Sequence, residues 1–271
     1  MPFQTRKRFG QHFLHESGII EKIVHTINPK PADNILEIGP GLGALTQQLL
    51  PYLHRLTVIE LDKDLIPLLE KQCATLGELI VYQADALTFD LLSLSDHNAA
   101  WRIVGNLPYN ISTPLLFHLL AQISVIKDMH FMLQKEVVDR IVAQAGEAHY
   151  GRLSVMVQYY CQVKKLFIVK PGAFQPPPKV DSAVIRLTPY QKLPWQADDV
   201  TLLAKIVRTA FLQRRKMLRN NLGKLIDSKQ LEYLGIDPRQ RPEELSVMDY
   251  VKISNFLTPL TSSSSCTRSR T

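Results

Sequence analysis

The chain has 271 residues, 45% hydrophobic and 21% charged, enough apolar material for a core, which excludes a chain disordered throughout. Lys plus Arg number 32 against 25 Asp plus Glu, a net charge of +7, and the excess is uneven: residues 1–190 hold 18 basic and 17 acidic side chains, residues 191–271 hold 14 and 8. No run approaches the ~18 uninterrupted apolar residues of a membrane span, Arg6-Lys7-Arg8 leads to Gly10, Gln11, His12 and Glu16 rather than to an apolar signal core, and three cysteines without a C-x-x-C pair exclude a disulfide scaffold and argue against structural zinc.

A soluble, cytoplasmic protein without a metal site is the expectation. In chain order, residues 34–38 are a short apolar run ending at glycines, hence a buried strand. Residues 46–53 read as helix and 56–60 as a second strand. Residues 65–76 have helical spacing, and 79–82 and 102–104 are further strands. Thr113-Pro114 opens another helix, with Ser112 or Thr113 as its cap. A strand at 129–133 precedes a helix at 135–145. Strands alternating with helices predict parallel βαβ units, an α/β doubly wound, Rossmann-like sheet. Near Pro171 the texture changes: Pro176-Pro177-Pro178 is stiff and extended, 182–187 alternates like a strand, and 189–194 reads as a linker. Apolar residues from Leu202 to Leu225 then recur at helical spacing. The expected organisation is an α/β domain over 1–190, a small helical domain over 195–257 and a disordered tail over 258–271.

Gly39, Gly41 and Ala44 follow the first of these strands and precede a helix, where glycines let the backbone turn and approach a ligand. That spacing also satisfies the dinucleotide pattern G-x-G-x-x-G/A. Glu60, ending the second strand, suits a ribose diol in either reading, because a carboxylate accepts from two hydroxyl donors. Asp85 after the third strand and Asn106-Leu107-Pro108-Tyr109 after the fourth move the balance toward S-adenosylmethionine. All four sites fall at the carboxyl ends of consecutive strands, where open α/β sheets bind ligands, and there Asp85 can accept from the adenine amine.

Asn106-Leu107-Pro108-Tyr109 resembles the (Asn/Asp/Ser)-Pro-Pro-Tyr motifs of methyltransferases acting on exocyclic amino groups. The N6 lone pair of adenine is delocalised into the ring and is a poor nucleophile. The Asn106 amide oxygen and the Leu107 carbonyl can both accept from the N6 hydrogens and favour a pyramidal nitrogen. Pro108 fixes the backbone, and Tyr109 offers a stacking face worth roughly 1–3 kcal/mol. No strong general base is required, and orientation supplies most of the rate. Phe174 with Pro176 to Pro178 is either a second stacking face on a stiff loop or an edge connector; composition leaves both open.

Taken in order, Phe9-Gly10-Gln11-His12-Phe13-Leu14, the glycine loop, Glu60, Asp85, Asn106 to Ile111, Phe174 with residues 176–180, and Gln213-Arg214-Arg215-Lys216 resemble the bacterial small-subunit ribosomal RNA adenine N6,N6-dimethyltransferase family, over about residues 6–257. The resemblance implies dimethylation of two adjacent adenines in the 3′-terminal hairpin of 16S rRNA in the 30S subunit or its precursor. It implies S-adenosylmethionine as donor, S-adenosylhomocysteine as product and a role late in subunit assembly. It maps cofactor contacts onto His12, Leu14, Gly39, Glu60, Asp85 and Asn106, and base stacking onto Tyr109 and Phe174. His12 departs from the family pattern, which more often has asparagine.

The residues support an RNA partner independently. From 200 to 225 there is no acid. An apolar helical stripe there would leave Arg214, Arg215, Lys216, Arg219 and Lys224 free for phosphates, and Arg6-Lys7-Arg8 could add a basic arm. A large-subunit rRNA methyltransferase shares the cofactor motifs, but Phe174 with residues 176–180 and the run Asn110 to Pro114 favour the small-subunit enzyme. A non-enzymatic assembly factor fits intact Asn106 and Tyr109 poorly. An NAD-dependent oxidoreductase would lack its catalytic residues. A monomer is expected.

Overall fold

The computed structural model describes residues 12–94 and 100–264. Arg6-Lys7-Arg8 and Phe9-Gly10-Gln11 lie outside the described residues. The chain forms two compact units, one from the N-terminal segment to Val138 plus Gln162–Pro189, the other Asp139–Cys161 plus the chain from Tyr190 onward.

The first unit is built on a seven-stranded sheet. Its parallel part comprises β2 (Ile35–Ile38), β3 (Arg55–Glu60), β4 (Glu78–Gln83), β5 (Trp101–Asn106) and β6 (Ile126–Gln134). β2 is buried along its whole length and β5 along all but Asn106, as strands covered on both faces are. Adding β7 (Cys161–Val169) and β9 (Ser182–Pro189), the order is β4-β3-β2-β5-β6-β9-β7. β9 runs antiparallel to β6, Met129 facing Leu187 and Gln134 facing Ser182, so an antiparallel pair extends the parallel βαβ part and the sheet as a whole is mixed. The chain leaves β2 toward β3 on one side and returns as β5 on the other. This reversal opens a crevice at the carboxyl ends of the strands.

The covering helices include α1 (Ser17–Ile27), α2 (Thr46–Leu49), α3 (Ile66–Cys73), α4 (Ser112–Ala121) and α5 (Lys135–Val142), which reaches into the second unit. α1 was not expected, although Ile20, Ile23, Val24 and Ile27 give it a buried stripe at i, i+3, i+4, i+7. α2 is shorter than predicted and ends in a 3₁₀ turn over Leu50–Tyr52. α4 starts after Ile111 without a side-chain cap, and the Ser112 hydroxyl donates to the Tyr109 carbonyl at 3.1 Å instead. A two-stranded ribbon joins β1 (Phe13–Leu14) to β8 (Phe174–Gln175), Leu14 facing Phe174.

The second unit is helical: α6 (Arg152–Tyr160), α7 (Val200–Ala210), α8 (Leu218–Leu222), α9 (Ser228–Tyr233) and α10 (Val247–Ser264). Residues 139–161 belong to it, whereas the sequence reading gave the whole stretch to 190 to the first domain. The Asp199 carboxylate caps α7 by accepting from Thr201 and Leu202 N–H, and Phe211 packs on the Tyr150 and Tyr250 rings. The apolar run 202–225 is not one helix. Asn221 Nδ2 donates to the carbonyls of Ala210 and Gln213, satisfying acceptors that a continuing helix would have used. The expected disordered tail also starts too early at 258, because α10 continues through Ser264. Its buried Tyr250, Val251, Ile253, Ser254 and Leu257 dock it, and Thr258 Oγ1 bonds back to the Ser254 carbonyl at 3.0 Å.

Candidate active site

A cleft of about 600 Å³ lies at the carboxyl ends of β2 to β5. His12, Leu14, Gly39, Gly41, Glu60, Asp85 and all of Asn106 to Tyr109 line it, so side chains up to about 95 positions apart meet in one place.

The loop after β2 needs glycine. Gly41 has φ +58°, and a Cβ there would come within 3.1 Å of the Phe13 ring. Its N–H donates to Glu60 Oε2 at 3.1 Å, and Asp62 N–H donates to Oε1 at 2.8 Å. Glu60 is thus fixed at both oxygens. Burial pushes its carboxyl above the ordinary range against these bonds. Asp85 Oδ1 accepts from Leu87 N–H at 2.9 Å, an Asx turn that sets its orientation.

β5 delivers the tetrapeptide. Gly105 precedes it because a Cβ there would sit 2.6 Å from the Ile38 carbonyl on β2. Leu107 N–H donates to Met132 O at 3.1 Å, tying the turn to β6. Asn106 Nδ2 donates to the His12 carbonyl at 3.0 Å, which leaves its Oδ1 as the acceptor. The Tyr109 hydroxyl bonds to Ser182 Oγ at 2.8 Å, and burial pushes that hydroxyl up. His12 lies over Tyr109, ring centroids 5.6 Å apart and tilted 31°. Its Nδ1 meets the Pro176 carbonyl at 2.8 Å.

A family model described as ribosomal RNA adenine dimethylase matches residues 2–259. The chain belongs to the ribosomal RNA adenine dimethylase family. It is 56% identical over 254 residues to the ribosomal RNA small subunit methyltransferase A of Marinobacter nauticus, covering 94% of this chain and 92% of that protein. The protein of that name from Marinomonas sp. is 54% identical over 256 residues, with 94% and 96% covered. Among solved structures, the dimethyladenosine transferase from Plasmodium falciparum superposes with a TM-score of 0.76 at 29% identity, over 89% of this chain and 96% of that one. The 23S rRNA methyltransferase ErmE shares the fold, with a TM-score of 0.71 at 22% identity over 90% and 99% of the two chains.

This dimethylase uses S-adenosylmethionine, and the residues present fit it. A buried carboxylate held at both oxygens, a glycine loop approaching it and an Asx-fixed aspartate offer acceptors for a ribose diol and an adenine amine. The cofactor supplies an electrophilic methyl group on a cationic sulfonium.

Phe174 departs from its expected place. It is 2% exposed in the core with Leu14, Ile20 and Val24, and it does not line the cleft. The β1–β8 pairing turns it inward, and its neighbour Gln175 reaches the cleft instead. Arg214, Arg215 and Lys216 stand exposed on the connection between α7 and α8, not on a helix face, and Arg219 and Lys224 are also exposed. Arg214 donates to the Ala148 carbonyl and lies 3.9 Å from Glu243.

Glu37 was given no role from sequence. It is 2% exposed, accepts from Thr46 Oγ1 at 2.7 Å and lines the cleft. Burial, aided by the Glu60 charge, pushes its carboxyl up to about 7. The signal was a carboxylate inside the otherwise apolar strand Ile-Leu-Glu-Ile, which only a polar function or a specific partner explains.

Proposed function

We propose that this dimethylase acts on the small ribosomal subunit, in the cytoplasm and as a monomer, and dimethylates two adjacent adenines in the 3′-terminal hairpin of 16S rRNA in the 30S subunit or a late precursor. The observation carrying the reading is the juxtaposition of the Asn106 to Tyr109 turn with Glu60 and Asp85 in one cleft, in a chain more than half identical to proteins named for the small subunit.

Glu60 accepts from the ribose hydroxyls and Asp85 from the cofactor amine, while Gly39 and Gly41 let the backbone close on the ligand. Leu14 and His12 complete that wall. Asn106 Oδ1 and the Leu107 carbonyl accept the two N6 hydrogens of the target adenine, Pro108 fixes that carbonyl, and Tyr109 stacks on the base. This orients the N6 lone pair toward the methyl group without a strong base. Phe174, buried without RNA, takes part only if the β1–β8 ribbon opens. Arg215, Lys216, Arg219 and Lys224 meet phosphates, while Arg214, bonded to the Ala148 carbonyl, braces the turn that carries two of them.

The test is transfer of labelled methyl to immature 30S subunits lacking the modification, with the product mapped. Two adjacent dimethyladenines in the 3′-terminal hairpin are expected. Label in large-subunit rRNA would overturn the proposal.

A further inference from the structure

Asp85 owes its orientation to the segment behind it. Besides the Leu87 bond, Thr88 N–H donates to the Asp85 carbonyl at 3.1 Å. The next residues, Phe89 to Leu91, are clamped by α4 and the residue that caps it. Gln122 Oε1 accepts from Leu91 N–H at 2.6 Å, and Gln122 Nε2 donates to the Phe89 carbonyl at 3.2 Å. His118 Nε2 lies 2.8 Å from the same carbonyl. His118 Nε2 and Gln122 Nε2 are themselves 2.9 Å apart, so the two side chains and the Phe89 carbonyl form one cluster. The Phe89 ring packs edge-on against Tyr82, centroids 5.4 Å apart. None of Tyr82, Phe89, His118 and Gln122 lines the cleft. The other end of α4 carries Ser112, bonded to Tyr109. One helix therefore holds both the target-base turn and the loop bearing Asp85.

We propose that Gln122, assisted by His118, is a positioning residue for the cofactor: it fixes the loop so that the Asp85 carboxylate meets the exocyclic amine of the cofactor adenine. This rests on the assignment of Asp85 to that amine. Removing the clamp frees a backbone N–H and a carbonyl to seek water, and the turn at Asp85 loses its fixed end. The chemistry at N6 of the target is not touched.

The probes are S-adenosylhomocysteine and its purine analogue lacking the 6-amino group, titrated calorimetrically. Gln122→Leu removes both bonds and should bind S-adenosylhomocysteine about tenfold more weakly, but the analogue within about twofold of wild type. Turnover at saturating S-adenosylmethionine should stay within about twofold while KM rises. Gln122→Glu keeps the acceptor for Leu91 N–H and should lose about threefold; it carries the test if the leucine variant fails to fold. Equal weakening toward both ligands, or none toward S-adenosylhomocysteine, overturns the inference. Asp85→Ala separates the two assignments: if it binds both ligands as wild type does, the Asp85 reading fails and the positioning role with it. If Asp85→Ala weakens S-adenosylhomocysteine but not the analogue, and Gln122→Leu does not show that difference, only the positioning role fails.

Discussion

The two units hold the side chains proposed for catalysis and for RNA docking in opposite ways. In the sheet unit each is immobilised: Glu60 by two backbone N–H groups, Asn106 by the His12 carbonyl, Tyr109 by Ser182. In the helical unit Arg215 and Lys216 stand exposed with no side-chain partner among the described residues, and of that triad only Arg214 is tied down. Chemistry on a delocalised amine depends on geometry, which buried strand ends supply. Docking on an RNA backbone depends on charge and reach, which exposed arginines and lysines supply at low desolvation cost.

The sharpest way to break this contrast is Asn106→Ala. Loss of an acceptor aimed at the reacting nitrogen should lower single-turnover methyl transfer by on the order of 10²–10³-fold, as for other preorganised polar groups. RNA binding should be unchanged. A near wild-type rate at saturating subunit would refute the role of the turn.

Glu37 probes how dry the immobilised site is. Its folded pKa of about 7 lies above 4.5, so the folded state holds the proton more tightly than the unfolded one. Ionisation in the fold is disfavoured, and stability should fall as pH rises from about 4.5 through 7, by about 3 kcal/mol in all. Glu37→Gln keeps an acceptor for Thr46 and should flatten that part of the profile. Urea unfolding of both cofactor-free proteins at pH 5 and pH 8 measures it; parallel losses would show that Glu37 does not titrate this way.

Glu60→Ala should weaken S-adenosylmethionine binding tens-fold, because a charged hydrogen-bond partner is worth roughly 1.5–3 kcal/mol. Calorimetry on the folded variant decides it. The smallest effect belongs to the basic turn. Each phosphate contact contributes roughly 0.7–0.9 to the slope of log affinity against log salt. Because Arg214 already has protein partners, Arg214→Ala/Arg215→Ala/Lys216→Ala should flatten the 30S-binding slope by about two contacts rather than three. Parallel slopes would return these residues to an ordinary solvated surface.

How much of this was legible in the sequence follows the same division. Gly39, Glu60, Asp85 and Asn106 could be placed together because strand, turn and helix recur locally and parallel strands align their carboxyl ends. Phe174 could not be placed: its burial depends on a ribbon pairing Leu14 with a residue 160 positions away. The break between α7 and α8 was hidden because Leu218 and Leu222 stay in phase with the α7 stripe, while the group ending the helix, Asn221, lies beyond the break. The clamp on Asp85 was illegible too, since a glutamine closing a helix announces nothing about a loop some thirty residues earlier.

The measurement that tests the division most directly is the single-turnover rate of methyl transfer to 30S subunits by the triple alanine variant of residues 214–216, at subunit concentrations high enough to saturate its weakened binding. A rate within about twofold of wild type is expected, because phosphate contacts made only to dock the RNA are uniform binding and leave the chemical step unchanged. A fall of the size expected for Asn106→Ala would contradict it, and would mean that the basic turn takes part in aligning the target adenine.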